Sequence, residues 1–300
     1  MNIIGAVILA RHGDRQGFYQ DPTMYAASNT VITPLGNALY LNTSSTTYIL
    51  GISTDLVDVS QIQVHADAGG EGGVIFSSAV SLLQGLYPPT TEYQMTLANG
   101  TTIIGPLGGY QAIESVEPDN DISLESWTDC DTFSNATTAF YNSAEFVAKK
   151  VSSQAFLDEL PPYLDGSLES MIYDHMNVEY IHNATFADNF PTTYLPQARD
   201  LANWHEVGVF TSPSINGIGN IAGRTVSPTI LDGFQQIVAG EDGLKPVYVA
   251  ISYKPFLSLF NMTGAFVMNP QIEGIVNYAT AVVFELHMQL NQRHGRPRLH

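Results

Sequence analysis

Apolar residues run without a break from Ile3 to Ala10 (IIGAVILA). An unbroken run of that length suits a strand covered on both faces of a parallel sheet, where no position needs to meet water. It ends in a polar, glycine-containing turn, Arg11 to Gly17. Thr33-Pro34 then supplies an N-cap and a first helical residue for a helix reaching about Leu50, closed by Gly51. A second short strand is expected at Ile62 to Ala66. After the Gly-rich segment Ala68 to Gly73 comes a helix from about Val74 to Leu86, stopped by Pro88-Pro89. Strand, helix, strand, helix predicts an α/β sheet with crossover helices.

The middle of the chain breaks this rhythm. From about Tyr93 to Asn203 it carries amphipathic stretches, Asn142 to Leu160 and Leu168 to Asn183, and few strand signals after Ile104. That predicts a mainly helical cap over residues 93–203, inserted into an α/β core made of 1–92 and 204–290. The sheet pattern resumes with a helix near Thr225 to Ala239, a strand Pro246 to Ile251, a short helix from Pro255 and a strand Ala279 to Leu286. The fold class read from the pattern is α/β, a mostly parallel sheet with flanking helices. Residues 291–300 hold three Arg and two His and read as an unrelated tail.

Charge narrows the choice of partners. Asp and Glu number 29 against 11 Lys and Arg, a formal net charge of -18, which repels nucleic acid, and no basic stripe offsets it. No Lys or Arg occurs between Arg15 and Lys149. Cys130 is the only cysteine, so neither an internal disulfide nor a cysteine-based metal site can form within one chain. Five glycosylation sequons, at Asn42, Asn99, Asn135, Asn183 and Asn261, together with the acidic, lysine-poor composition, point to a secreted glycoprotein. Met1 to Ala10 has no basic leader, so a secretory leader is expected to be absent from this chain. No apolar run of roughly 18 residues exists to span a membrane.

The chemistry concentrates in Arg11-His12-Gly13-Asp14-Arg15, directly after the first strand. Open α/β sheets bind ligands at the carboxyl ends of their strands. A neutral imidazole there can attack phosphorus, with flanking guanidiniums presenting forked donors to the phosphate oxygens. Gly13 would let the backbone turn closely beneath the phosphate. Other constellations are weaker. Asp174, His175 and His182 fall within nine residues, but two helical turns between the histidines is too wide for one tetrahedral ion, and no metal site is expected. His205, beside Trp204, reads as a packed or surface histidine. Arg293-His294-Gly295-Arg296 repeats the signature without a strand before it. Gly105 to Gly109 and Gly217 to Gly223 lack the flanking strand and helix of a dinucleotide fingerprint, so no cofactor is expected.

With these residues in view, the chain resembles the histidine acid phosphatase branch of the histidine phosphatase superfamily, which includes fungal phytase-like proteins. The resemblance rests on Arg11 to Arg15, on Thr33-Pro34-Leu35-Gly36 at the first helix, on Ser78 to Pro89 at the second, and on Val247 to Ile251 and Tyr278 to His287 near the end. It implies a histidine-phosphatase-like α/β fold, a phosphate acceptor at His12, phosphate ligands at Arg11 and Arg15, and a small phosphorylated substrate or anion as partner.

Three departures stand against full activity. The resemblance places another Arg where this chain has Val74. It also places a His-Asp pair, one ligand and one acid, where this chain reads Ser252-Tyr253-Lys254-Pro255-Phe256. Each such group is worth about 10²–10⁴-fold in rate. Substitutes can be named: Lys254 as a point charge, Tyr253 and His65 as hydrogen-bonding groups to phosphate, and Asp14 or Glu285 as the acid. Two readings therefore compete, a slow phosphomonoester hydrolase and a non-catalytic member of the fold that binds an anion or partner. A cytoplasmic mutase of phosphorylated sugars fits the sequons less well.

Overall fold

The structure, a computed structural model, describes residues 2–17, 30–41, 51–53, 56–68, 73–105, 107–164, 172–240, 243–289 and 298–299. Strand β1, Asn2–Arg11, leads to helix α1, Pro34–Leu41, then β2, Gln63–Asp67, and α2, Val74–Leu86. A hairpin, β3 (Gln94–Thr96) and β4 (Thr102–Ile104), precedes β5, Glu114–Val116. The helical stretch follows: α3 Asp131–Tyr141, α4 Ala144–Leu157, α5 Ile172–His182, α6 Ala184–Asn189, α7 Tyr194–Phe210 and α8 Ile221–Ala239. The chain closes with β6, Pro246–Ile251, α9, Lys254–Met262, α10, Ala265–Met268, β7, Ala281–Gln289, and β8, Arg298–Leu299.

The sheet runs in the order β5-β2-β6-β1-β7-β8. Its first four strands are parallel, β7 runs antiparallel beside β1, and β8 pairs antiparallel with β7 at the far edge. The α/β class anticipated from the sequence, a mostly parallel sheet with flanking helices, is what the chain forms. Both faces of β1 are covered, which is why its sequence does not alternate. Ala6 and Ala10 join Val64, Ala66, Tyr248 and Ala250 under α2, whose Val74, Ile75, Ala79 and Leu82 fill that side. Val7 and Leu9 join Val247, Val249 and Ile251 on the other side, under Val226, Ile230 and Ile237 of α8. The α2 face is lined by alanines, so the helix comes close to the strands.

Several boundaries differ from expectation. Helix α1 is described only to Leu41, and residues 42–50 lie outside the described set. Strand β5 falls inside the segment read as cap, yet it pairs with β2 as the sheet's edge; three residues are too few to leave a periodic signal. Helix α8 starts at Ile221 rather than near Thr225 and continues through Pro228, a residue that reads as a helix start in sequence. At the far end, Arg298–Leu299 of the supposed tail pair with Met288 and Gln289 of β7. The signature-like Arg293 to Arg296 lies outside the described residues.

Two cores serve the helical region. Trp127, Phe133, Val209, Phe210 and Phe266 pack beside the sheet. Leu160, Met176, Phe190 and Ala198 form a separate cluster joined by Phe156, Ile172, Tyr173 and Tyr194. No helix among the described residues is long and apolar enough to cross a membrane.

The signature loop and the start of α1 meet through two glycines. A Cβ at Gly13 would lie 2.8 Å from the Gly36 carbonyl oxygen, and one at Gly36 would lie 2.7 Å from the Asp14 amide nitrogen. Backbone atoms there cannot give way as a flexible side chain could. Gly36→Ala is expected to destabilise the protein by about 1–3 kcal/mol through overpacking, measured by chemical denaturation.

Candidate functional site

His12 follows β1 at the carboxyl end of the parallel strands. Arg11 stands level with Ile251 of β6, and the next amide, that of His12, donates to the Ile251 carbonyl at 3.2 Å. From the other side the Ala279 amide donates to the His12 carbonyl at 3.0 Å, and the Arg11 amide to Thr280 at 2.9 Å. Ala279 adopts a left-handed backbone, φ 56°, a costly conformation for a residue with a Cβ. From the α2 side, Ser78 accepts from the Gly13 amide at 2.9 Å and donates to the Val74 carbonyl at 2.7 Å. Three segments distant in sequence thus fix the backbone of one histidine.

The side chains around it are buried. His12, Arg15 and Lys254 are 1%, 3% and 0% exposed. The Nδ1 of His12 lies 2.8 Å from the Gly13 carbonyl, which calls for a proton on Nδ1 and puts the lone pair of the neutral ring on Nε2. Burial holds the His12 pKa well below the ordinary imidazole value, and Arg11, Arg15 and, to a lesser degree, Lys254 push it further down, against the opposing effect of the Gly13 hydrogen bond. The ring is therefore neutral well into the acid range. Tyr278 lies 5.6 Å from it, centroid to centroid, and burial pushes the Tyr278 phenol up. The Arg11 guanidinium sits 4.5 Å from the Tyr278 ring and 5.2 Å from that of Tyr253, and donates to the Val276 carbonyl. Lys254, the first residue of α9, places its ammonium 5.0 Å from the Trp127 ring and 5.7 Å from that of Tyr253. Aromatic faces of this kind partly replace the hydration that buried cations lose.

The proposed substitutes divide. Lys254 stands near enough to His12 to act on its ionisation. His65 does not converge on it: its Nδ1 is 2.8 Å from Glu114 on β5, and its register position is level with Val249 and Leu9, three residues before His12. Glu285 is exposed, opposite Ala6 midway along β7, and paired with His287 at 2.8 Å. Its position midway along β7 removes it from the strand ends. Asp14 is buried, but its carboxylate accepts from the Thr33 hydroxyl and lies 2.9 Å from His182 Nε2, so it is held in a structural tie. Val74, where the resemblance expects Arg, is buried in the apolar core under α2.

Helix α5 uses the residues that tempted a metal reading. Asp174 takes both terminal nitrogens of Arg15 on its two oxygens, at 3.1 and 2.8 Å, and His182 takes Asp14. His175 instead packs 6.4 Å from the Phe186 ring. Among the described residues no group of three or more His, Cys, Asp and Glu could hold an ion. Asp174 and His182 stand eight residues apart on one helix, within a quarter-turn of the same face; that spacing was the available signal for a shared target. Tyr278 and Glu206 left no signal. Glu206 is buried and joins the Tyr253 hydroxyl at 2.9 Å to His205 Nδ1 at 2.9 Å, and His205 Nε2 lies 3.0 Å from the Tyr141 hydroxyl.

A scan of protein-family profiles finds no match, and a search of curated proteins finds no significant relative. Solved structures do match. The Klebsiella sp ASR1 phytase superposes with a TM-score of 0.60 at 12% identity, covering 99% of this chain and 80% of the phytase. The Citrobacter braakii phytase gives 0.61 at 13%, covering 100% and 84%. The Hafnia alvei phytase in complex with tartrate gives 0.58 at 14%, covering 95% and 81%. At such identities the likeness concerns fold, and it extends along nearly the whole chain: this protein has the histidine phosphatase fold of the bacterial phytases.

Proposed function

We propose that the chain is a phosphomonoester hydrolase working through a phosphohistidine at His12. The observation that carries this reading is a neutral, buried imidazole that holds its lone pair on Nε2 and is ringed by Arg11, Arg15 and Lys254. In the first step Nε2 bonds to phosphorus as the bond to the leaving oxygen breaks; water then attacks the phosphohistidine, releasing phosphate and restoring His12. Arg11 and Arg15 hold the phosphate oxygens, and Lys254 supplies charge that the missing Arg and His would otherwise bring. Small phosphorylated compounds are the substrates on this reading; nucleic acid is not, given the acidic surface.

The reading also sets the weak point. With Asp14 tied to Thr33 and His182, and Glu285 remote, no carboxyl group is assigned to protonate the leaving oxygen. Leaving groups that depart as stable anions are therefore favoured. An aryl phosphate is expected to turn over about 10²-fold or more faster than an alkyl phosphate, compared by phosphate release, with His12→Ala abolishing both.

Activity should persist on the acid side, because His12 gains its proton only well below the usual imidazole range. Lys254→Met removes one of the influences that lower the His12 pKa. The acidic limb of the kcat/KM profile is then expected to move toward higher pH, while an unmoved limb would separate Lys254 from the site.

A second reading is favoured by one observation, the engagement of Arg15 by Asp174 beside a histidine with almost no exposure. It is a non-catalytic, secreted member of the fold that binds an anion or partner. Absence of turnover above His12→Ala, with phosphate still raising the melting temperature, would select it.

Secretion is proposed for either reading on the strength of the sequons. Asn99 and Asn135 are exposed. The Asn261 amide instead donates to the Ser212 carbonyl at 2.8 Å and to Asn220 at 3.0 Å, contacts that a glycan would break. Asn42 lies outside the described residues. Folded protein secreted from a eukaryotic host is expected to carry glycans at Asn99 and Asn135 and none at Asn261, as peptide mass spectrometry would show.

A further inference from the structure

We propose that Asp174 is an internal stand-in for the substrate's phosphate, and that helix α5 must withdraw before an anion can take its place on Arg15. The proposal rests on reading Arg15 as a phosphate ligand, and it adds a means of regulating that site.

Geometry comes first. Two parallel bonds from one guanidinium to two oxygens, at 3.1 and 2.8 Å, are the pattern Arg makes with phosphate as readily as with carboxylate. The pair is also sealed, with side-chain exposures of 3% for Arg15 and 13% for Asp174. A phosphate seeking the same two nitrogens must displace the carboxylate.

The way α5 is attached makes displacement feasible. Its apolar side, Ile172, Tyr173 and Met176, packs with Leu160, Phe190 and Ala198 in a cluster distinct from those on the sheet. Toward the signature loop it offers polar contacts, Asp174 to Arg15 near its first turn and His182 to Asp14 at its last residue. The contacts that tie α5 to the signature loop are thus ones that water or an anion can replace. Electrostatics gives the exchange its direction, because a phosphate brings up to two charges for the one it displaces, close to Arg11 and Lys254 as well as Arg15.

The test uses the whole chain and inorganic phosphate. Calorimetric affinity is measured for the wild type, Asp174→Asn and Arg15→Ala, and hydrogen exchange of residues 172–182 is followed in the wild type with and without saturating phosphate. Removing the competing carboxylate is expected to tighten phosphate binding about ten-fold or more, and phosphate is expected to speed exchange in α5. Equal affinities for the wild type and Asp174→Asn, with binding lost in Arg15→Ala, would leave the phosphate site standing and overturn the lid. Unchanged exchange in α5 at saturation would overturn it equally. No binding by any variant that keeps its circular dichroism spectrum would remove the phosphate site and the lid with it. If Asp174→Asn does not fold, His182→Ala, which loosens the other end of α5, is measured instead: it too should tighten phosphate binding, and no gain there would count against the lid.

Discussion

A guanidinium cannot be taken out of water without an anion or an equivalent set of acceptors, and that requirement organises the carboxyl end of this sheet. Arg11, Arg15 and Lys254 are buried around His12, and each is met differently. Arg15 has a full carboxylate in Asp174, Arg11 has a carbonyl and two phenol rings, and Lys254 lies against Trp127 and Tyr253. The strands below are apolar on both faces and offer these charges nothing. The helical segment and the loop before β7 therefore supply the counter-groups, and the imidazole sits in the field that results.

Close packing puts these groups within reach of one another. Alanines on the α2 face of β1, β2 and β6 bring the helix near enough for the Ser78 hydroxyl to take the Gly13 amide. Contact between Gly13 and Gly36 draws the start of α1 against the same loop, and Thr33 there bonds to Asp14. From α7, Arg199 donates to Ile275 and Asn277 and Asn203 accepts from the Ile275 amide, steadying the loop that carries Val276 and Tyr278.

Much of this was legible before any coordinates. The unbroken run Ile3 to Ala10 announced a doubly covered strand, Val74 to Leu86 announced its helix, and Arg11 to Arg15 directly after that strand announced charged groups at the carboxyl end of the sheet. What stayed hidden depends on long-range contact. Nothing local tells that Glu285 faces outward at mid-strand while Tyr278, seven residues earlier, lies beside His12. Asp174 and His182 share a helical face, yet the spacing alone leaves open whether they meet an ion, water or Arg15 and Asp14. Strand β5 is too short for period to speak, and only its pairing with His65, Ala66 and Asp67 makes it part of the sheet.

The placement of so many scarce cations in the interior has a kinetic consequence. The chain has 11 Lys and Arg against 29 acidic residues, and three of those eleven are buried beside His12. The net charge of -18 leaves the outer field negative, while Arg11, Arg15 and Lys254 make the immediate surroundings of His12 rich in cations. An approaching anion meets repulsion before it meets attraction. Many anion-binding proteins lose association rate as salt screens their steering field; here screening would remove the outer repulsion first. On the proposed reading, moderate ionic strength would then speed the arrival of a phosphorylated compound, the reverse of ordinary electrostatic steering.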